Sequence, residues 1–320
     1  VSLGTGRRAV AIGGGTGLPS VLGCLVDLDF ETSAVVTMAD DGGSSGKLRQ
    51  QLGILPPGDI RNCLVALSDD HAGLMGPLFQ YRFPEGEGLA GHALGNLIIA
   101  ALTDLTGSFP AAIEAAEHYL HTRGHVYPST LVDVELHGVD RVGLEISGQA
   151  TLAVSAHPLE CVHLEPESPT AYPPALEAIR SADLIVLGPG SLYTSLIPNL
   201  LVDGIAEAIR DSSAQRIYVC NVANMRGETG GLDAADHVSA LADHGLAGAV
   251  DLVLVHEACS GTAVLCDDDA VVEPVAAGPE VLARIEALGA SVVADNLVDP
   301  DMPVRHSRAA LCRVLERVIV

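Results

Sequence analysis

Lysine is almost absent from this 320-residue sequence: Lys47 is the only one, and every other fixed cation is an arginine. No Lys/Arg-rich run offsets the formal net charge of -24, and such a field repels nucleic acid and anionic membrane, which excludes both as partners. A free nucleotide would be repelled too, unless local arginines, helix N-termini or a divalent ion reverse the field. Tryptophan is missing and aromatic residues make up 3% of the chain, leaving few rings to stack on a flat ligand. The seven cysteines (Cys24, Cys63, Cys161, Cys220, Cys259, Cys266, Cys312) show no CxxC or zinc-type spacing. They read as small buried apolar residues in a reducing cytoplasm. No signal peptide is visible and no apolar run is long enough to span a bilayer, so the expectation is a cytoplasmic protein without membrane insertion. Two nucleotide motifs are also missing. A P-loop around Gly46-Lys47 would need glycine at Asp41 and Ser or Thr at Leu48, and the third glycine of a GxGxxG fingerprint would fall on Leu18, which removes the support for NAD.

What is present is concentrated between Met38 and Asn62, in MADDGGSSGKLRQQLGILPPGDIRN. Two adjacent aspartates (Asp40, Asp41), a Gly-Gly-Ser-Ser-Gly turn, Lys47 and an Asp59/Arg61/Asn62 trio share this short span. Glycine allows tight turns whose successive N–H groups cradle anions, carboxylates beside them suit a metal or a sugar hydroxyl, and Lys47 is a candidate phosphate contact. Asp40 and Asp41 follow the apolar strand expected at Ala34–Thr37, at the strand end where doubly wound sheets bind ligands. Upstream, the apolar run Ala9–Ile12 enters Gly13-Gly14-Gly15-Thr16-Gly17 ahead of a helical pattern from Leu18 to Leu28, a strand, anion-binding turn and helix in succession. A second such unit runs from Asp183–Leu187 into Gly188-Pro189-Gly190-Ser191, with Ser191 expected to cap the following helix. In a parallel sheet both turns fall on one edge, so they are expected to converge on one site.

At 48% hydrophobic content the chain can bury a large core, and the alternation of strands and helices predicts an α/β fold: a Rossmann-like three-layer α/β/α domain built on a parallel sheet. Further strands are expected at Ile217–Cys220, which delivers Asn221, at Leu252–Val255 and at Ser291–Ala294, before a terminal helix that follows Arg305-His306. Asp59 is expected to N-cap a helix reaching about Leu67, and His92 and Asn96 to share one helical face. One domain covers the chain, with core segments 1–123 and 171–320. Residues 124–170 read as a β-rich insertion with strands at Leu131–Leu136, Val142–Ile146, Thr151–Val154 and Cys161–Leu164.

Taken together, AIGGGTGLPSVL, VTMADDGGSSGKLRQQLGILPPGDIRNCLVALSD, LFQYRF, GHALGNL, ADLIVLGPGSLYTSLIPNLLVDGIAEAI, YVCNV, GET, AADHV and the late Arg-His resemble the CofD-like superfamily, in its YvcK-like gluconeogenesis-factor branch. These segments occur in order over almost the whole chain. The resemblance implies a cytoplasmic, homodimeric factor that binds a nucleotide sugar, UDP-N-acetylglucosamine in particular, and serves cell shape and wall synthesis on gluconeogenic carbon sources. The related CofD branch implies an alternative, a transferase moving a phospholactyl-type group from a nucleotide-diphosphate donor to a deazaflavin, with magnesium on aspartates. By motif, Gly13–Gly17 and Gly188, Gly190 and Ser191 would hold the diphosphate, Asp40 and Asp41 the metal or sugar, and Asn221 the nucleotide side. Lys47, Asp59, Arg61, Asn62, His92, Asn96 and Arg305 complete the expected ligand shell. The chain departs from the family at Ala223-Asn224-Met225-Arg226, at Cys266–Val272 and at Ser307, where relatives carry Met-Thr-Gln-Pro, a tyrosine and a glycine, and Asp.

Overall fold

A computed structural model describes residues 4–69, 73–257, 264–265 and 271–319. The chain opens with β1 (Arg8–Gly13), α1 (Leu18–Asp27) and β2 (Glu31–Val36), then a helical block: α2 (Gly43–Leu52), α3 (Gly58–Leu67), α4 (Met75–Gln80), α5 (Leu94–Thr106) and α6 (Phe109–Leu120). Next come β3 (Gly124–Pro128), β4 (Glu135–Asp140), β5 (Glu145–Ser147), α7 (Gln149–Leu152), β6 (Leu159–Glu165), α8 (Pro173–Arg180) and β7 (Leu184–Leu187). A π-helical turn (Leu192–Leu196) leads into α9 (Ile197–Leu200) and α10 (Ile205–Asp211), followed by β8 (Gln215–Val219), α11 (Ala234–Leu241) and β9 (Leu252–His256). The short pair β10 (Val264–Leu265) and β11 (Val271–Val272), α12 (Pro279–Ala287), β12 (Ser291–Asp295) and α13 (Arg308–Val318) complete it.

Seven strands form one parallel sheet in the order β12-β9-β8-β7-β1-β2-β3. Its middle strands are apolar along their whole length because both faces are covered by helices: β7 (Leu-Ile-Val-Leu) is buried throughout, and β1 is buried from Ala9 onward. From β1 the chain runs outward through β2 to β3, then returns to the other side of β1 as β7 and continues through β8 and β9 to β12. Strand order therefore reverses between β1 and β7, the topological switch point at which such sheets open a crevice for ligands.

Three expectations change. β3 pairs with β2, so residues 124–128 belong to the central sheet and the antiparallel β5-β4-β6 sheet starts only at Glu135. Thr151–Val154 is not a strand; Thr151 and Leu152 end the short helix α7. The cysteines are not all separate thiols: Cys24 of α1 and Cys312 of α13 form a disulfide, with Cα atoms 5.0 Å apart, within the range that a bridge requires. Cys259 and Cys266–Ala270 lie outside the described residues. No helix among the described residues is long and apolar enough to cross a membrane.

Candidate functional site at the switch point

The two glycine turns meet at the carboxyl ends of β1 and β7. A Cβ on Gly190 would stand 3.0 Å from the Gly14 carbonyl oxygen, and one on Gly17 would stand 2.7 Å from that of Pro189. Side chains are excluded because the two backbones touch. Gly15 and Gly188 add a second reason, with φ of +67° and +72° in the left-handed region. Asn221, delivered by β8, holds the second turn from outside: its Oδ1 accepts the Gly190 N–H at 3.3 Å and its Nδ2 donates to the Gly190 carbonyl at 2.9 Å. Its amide is thus engaged by the turn, and the same residue lines the cleft beyond it. Ser191 occupies the expected cap position, but its side chain makes no cap bond. The buried carboxylate of Glu228 does that work, accepting from Tyr193 N at 2.6 Å, Thr194 N at 3.2 Å and Thr194 Oγ1 at 3.1 Å.

The three aspartates divide into different roles. Asp59 is not an N-cap; Pro57 sits at the cap of α3, and Asp59 reaches across to accept the Gly15 N–H at 2.7 Å. Burial first, and the Asp40 charge second, push its carboxyl up to about 6. Asp40 accepts the Gly42 N–H at 3.0 Å and is likewise raised, chiefly by burial. Asp41 turns away from both: its oxygens accept the N–H groups of Gln149 (3.0 Å) and Ala150 (2.8 Å) at the start of α7. The acid pair beside the glycine turn is therefore Asp40 with Asp59. Asp41, expected with Asp40 at a metal or sugar, holds the start of α7 beside the antiparallel sheet.

Behind the acid pair lies a buried polar network. His92 does not share a helical face with Asn96, since α5 begins only at Leu94, but Ser44 joins the two. Asn96 Nδ2 donates to Ser44 Oγ at 3.0 Å, and Ser44 Oγ is hydrogen-bonded to His92 Nδ1 at 3.0 Å. Arg61, only 5% exposed, donates to Asn96 Oδ1 and to Asn62 Oδ1, each at 2.7 Å. Lys47 is exposed on α2.

Outward from the turns a cleft of about 340 Å³ opens between Thr16, Pro189 and Asn221 on one side and Asp299, Met302 and Arg305 on the other. His306 closes its floor, with Nε2 donating to the Cys220 carbonyl at 3.0 Å; burial, with His256 adding to it, drives its pKa down to about 4, so it is neutral at pH 7. A larger groove of about 480 Å³ lies at the opposite, amino-terminal ends of β1, β2 and β3 beside Arg8, Glu31 and Gly124. It has neither a glycine turn nor a strand carboxyl end, so the smaller cleft is the candidate site.

The family described as 2-phospho-L-lactate transferase CofD matches residues 9–298, which span both turns, the acid pair and the polar network. The chain belongs to the CofD family. It is 42% identical over 311 residues to the Gluconeogenesis factor of Halalkalibacterium halodurans, covering 97% of this chain and 95% of that one. It is 46% identical over 254 residues to the Gluconeogenesis factor of Bacillus subtilis, covering 79% and 80% of the two chains. A crystal structure of a Bacillus halodurans protein superposes with a TM-score of 0.90 at 41% identity, covering 97% of this chain and 99% of that one.

In this CofD-family chain the residues that hold the turns were the harder ones to read from sequence. Glu228, Ser195 and Asn199 carry no nucleotide-site signature of their own. Asn199 Nδ2 donates to the Gly13 carbonyl at 3.1 Å, and Ser195 packs against the positions where Gly14 and Gly15 would carry side chains. The Arg226-Gly227-Glu228 sequence was the available signal for Glu228: an acid in a tight loop whose long-range partner only the fold reveals. Asp41→Ala is expected to cost about 1 kcal/mol, as for loss of a helix cap, and to loosen α7, read by urea denaturation. A change below about 0.3 kcal/mol would show that the anchor is not needed.

Proposed function

We propose that this CofD-family protein is a cytoplasmic, homodimeric receptor for a nucleoside-diphosphate sugar, with UDP-N-acetylglucosamine as its ligand. As a regulatory factor it couples that ligand to growth on gluconeogenic carbon, cell shape and wall synthesis. The observation that carries the reading is the convergence of the two glycine turns beside the Asp40–Asp59 pair. In it, the turns and the N-terminus of α1 face the diphosphate. The cleft between Asn221 and Arg305 takes the rest of the ligand.

A diphosphate meets a conflict here, because the Gly15 N–H already serves a carboxylate. A magnesium ion held by the nearby carboxylates would resolve it. This ion is typically held by one or two carboxylates together with ligand phosphates and waters, and Asp40 and Asp59, both raised by burial and by a neighbouring carboxylate, form a donor pair of that kind. Among the described residues no group of three or more His, Cys, Asp or Glu could hold a metal, so the phosphates would complete the shell. When bound, the ion neutralises the diphosphate.

The acid pair equally suits a transferase of the CofD type acting on a nucleotide-diphosphate donor with a deazaflavin acceptor. Thermal melts separate the two. Ligand at ~100 times its dissociation constant stabilises a fold by ~2.7 kcal/mol. The receptor predicts UDP-N-acetylglucosamine above UDP and both above GDP, with magnesium strengthening all three and no donor consumed over hours. Preference for GDP with donor turnover in the presence of a deazaflavin would establish the transferase instead.

A further inference from the structure

We propose that the Cys24–Cys312 disulfide is a redox-set tether that holds the outer wall of the cleft in place. The proposal rests on the cleft being the ligand site. The two bridged helices are those whose amino ends frame it: α1 starts from the first glycine turn at Gly17, and α13 starts one residue after the 299–307 segment that supplies Asp299, Met302, Arg305 and His306. That segment is tied back by the Val298–His306 bridge, by Ser307 N donating to the Leu297 carbonyl at 2.8 Å and by His306 Nε2 donating to the Cys220 carbonyl at 3.0 Å. These ties gather at its carboxyl end, which runs straight into α13, so its position also depends on where the first turns of α13 sit on α1. Two links fix that contact on the carboxyl half of α1. One is the disulfide. The other is Arg308, which donates to the Gly23 carbonyl at 3.1 Å and to Asp27 Oδ2 at 2.6 Å. The Arg308–Asp27 pair is about half exposed on both sides, so it is weak on its own. Leu311, just before Cys312, and Val314 and Leu315, after it, are buried and keep α13 docked without the covalent bond. Breaking the disulfide thus loosens the hold of α13 on α1, and with it the cleft wall, while leaving the helix in place.

The chemistry is ordinary thiol–disulfide exchange with a cellular dithiol. Cys24 is fully buried and Cys312 partly exposed, so a dithiol thiolate attacks the Cys312 sulfur, forms a mixed disulfide there and expels the Cys24 thiolate. The second dithiol sulfur then attacks the first and releases Cys312. Two electrons reach the protein, two protons are taken up, and the dithiol leaves as a cyclic disulfide. The new Cys24 thiol has an acceptor waiting, the Arg308 carbonyl oxygen 3.4 Å away. In a reducing compartment a disulfide of this kind is usually transient and redox-sensing, so the tether would be made and broken there as conditions change.

Hydrogen exchange on the full chain tests this with no ligand present. The oxidised protein, the protein reduced with dithiothreitol and a Cys24→Ser/Cys312→Ser variant would be compared, after melts confirm that each is folded. Amides of 299–307 should exchange about fivefold faster in the reduced protein while those of β1 and β7 stay unchanged. The variant should match the reduced protein under oxidising and reducing conditions alike. Equal exchange of 299–307 in the oxidised and reduced wild type overturns the tether. UDP-N-acetylglucosamine serves as the probe of function, with an expected rise in dissociation constant of about threefold on reduction. If exchange responds but this nucleotide binds in neither state, the tether stands and the nucleotide-sugar reading falls.

Discussion

Asp59→Asn is expected to make the ligand-free protein more stable while abolishing magnesium-dependent ligand binding. The carboxyl of Asp59 is raised to about 6 from an ordinary 3.8, by burial first and by Asp40 second. A folded-state pKa above the unfolded one means that ionisation opposes folding. The penalty is absent below the unfolded value, grows as pH rises between the two and is complete above the folded value. Two units correspond to roughly 3 kcal/mol at most, and the partial exposure of Asp59 lowers the expectation to about 1–3 kcal/mol. Asparagine removes the charge but keeps an oxygen to accept the Gly15 N–H, so the turn survives. Urea denaturation at pH 4 to 8 should show the variant above the wild type by the full margin at pH 7 to 8, with the curves converging near pH 4. A variant less stable than the wild type at pH 8 would mean that the Gly15 bond outweighs the buried charge. Alongside, magnesium should no longer strengthen nucleotide-sugar binding, because one of its two candidate carboxylates is gone. A site that stabilises the fold when it is disarmed is maintained for its ligand.

The central sheet was legible because its strands are buried on both faces. Leu184–Leu187 and Leu252–His256 are near-continuous apolar runs, and their extents differ from the sequence reading by a residue at most. The antiparallel sheet was not legible in the same way. β4 alternates exposed and buried residues and begins four residues after the expected Leu131, while Thr151, a good strand former, ends a helix because Asp41 satisfies the N–H groups at its start. The glycine turns declared themselves as local strings, and the parallel pairing of β1 with β7 brings them together. The aspartates did not declare their roles. Asp41 finds its partners 108 and 109 residues away and Asp59 finds Gly15 at a distance of 44, so adjacency in sequence does not show which backbone each aspartate meets. The disulfide was hidden for a related reason: 288 residues separate its cysteines, and composition pointed to reduced thiols.

Glu228→Ala should be the most damaging single change near the site, and Glu228→Gln among the mildest. The carboxylate is fully buried and accepts three bonds from Tyr193 and Thr194 at the start of the π-helical turn. Alanine leaves two backbone N–H groups and a hydroxyl without their acceptor in a place water does not reach. With about 1–3 kcal/mol for each unsatisfied group and partial relaxation, the loss should be about 3–5 kcal/mol. Glutamine keeps an oxygen for the two N–H groups and turns its amide toward the Thr194 hydroxyl, which can accept. Burial also raises the pKa of Glu228, so the charge that glutamine discards was a cost, and the net change should stay within about 1 kcal/mol. The consequence reaches the ligand site through the helix itself. Ser195 of the π-helical turn abuts Gly15, and Asn199 of α9 donates to the Gly13 carbonyl, so a start of this segment that shifts carries the first glycine turn with it. Urea denaturation of both variants, with hydrogen exchange over 192–196, reads the two effects separately. An alanine variant within 1 kcal/mol of the wild type, or a glutamine variant as damaged as alanine, would show that the cap does not organise the second turn.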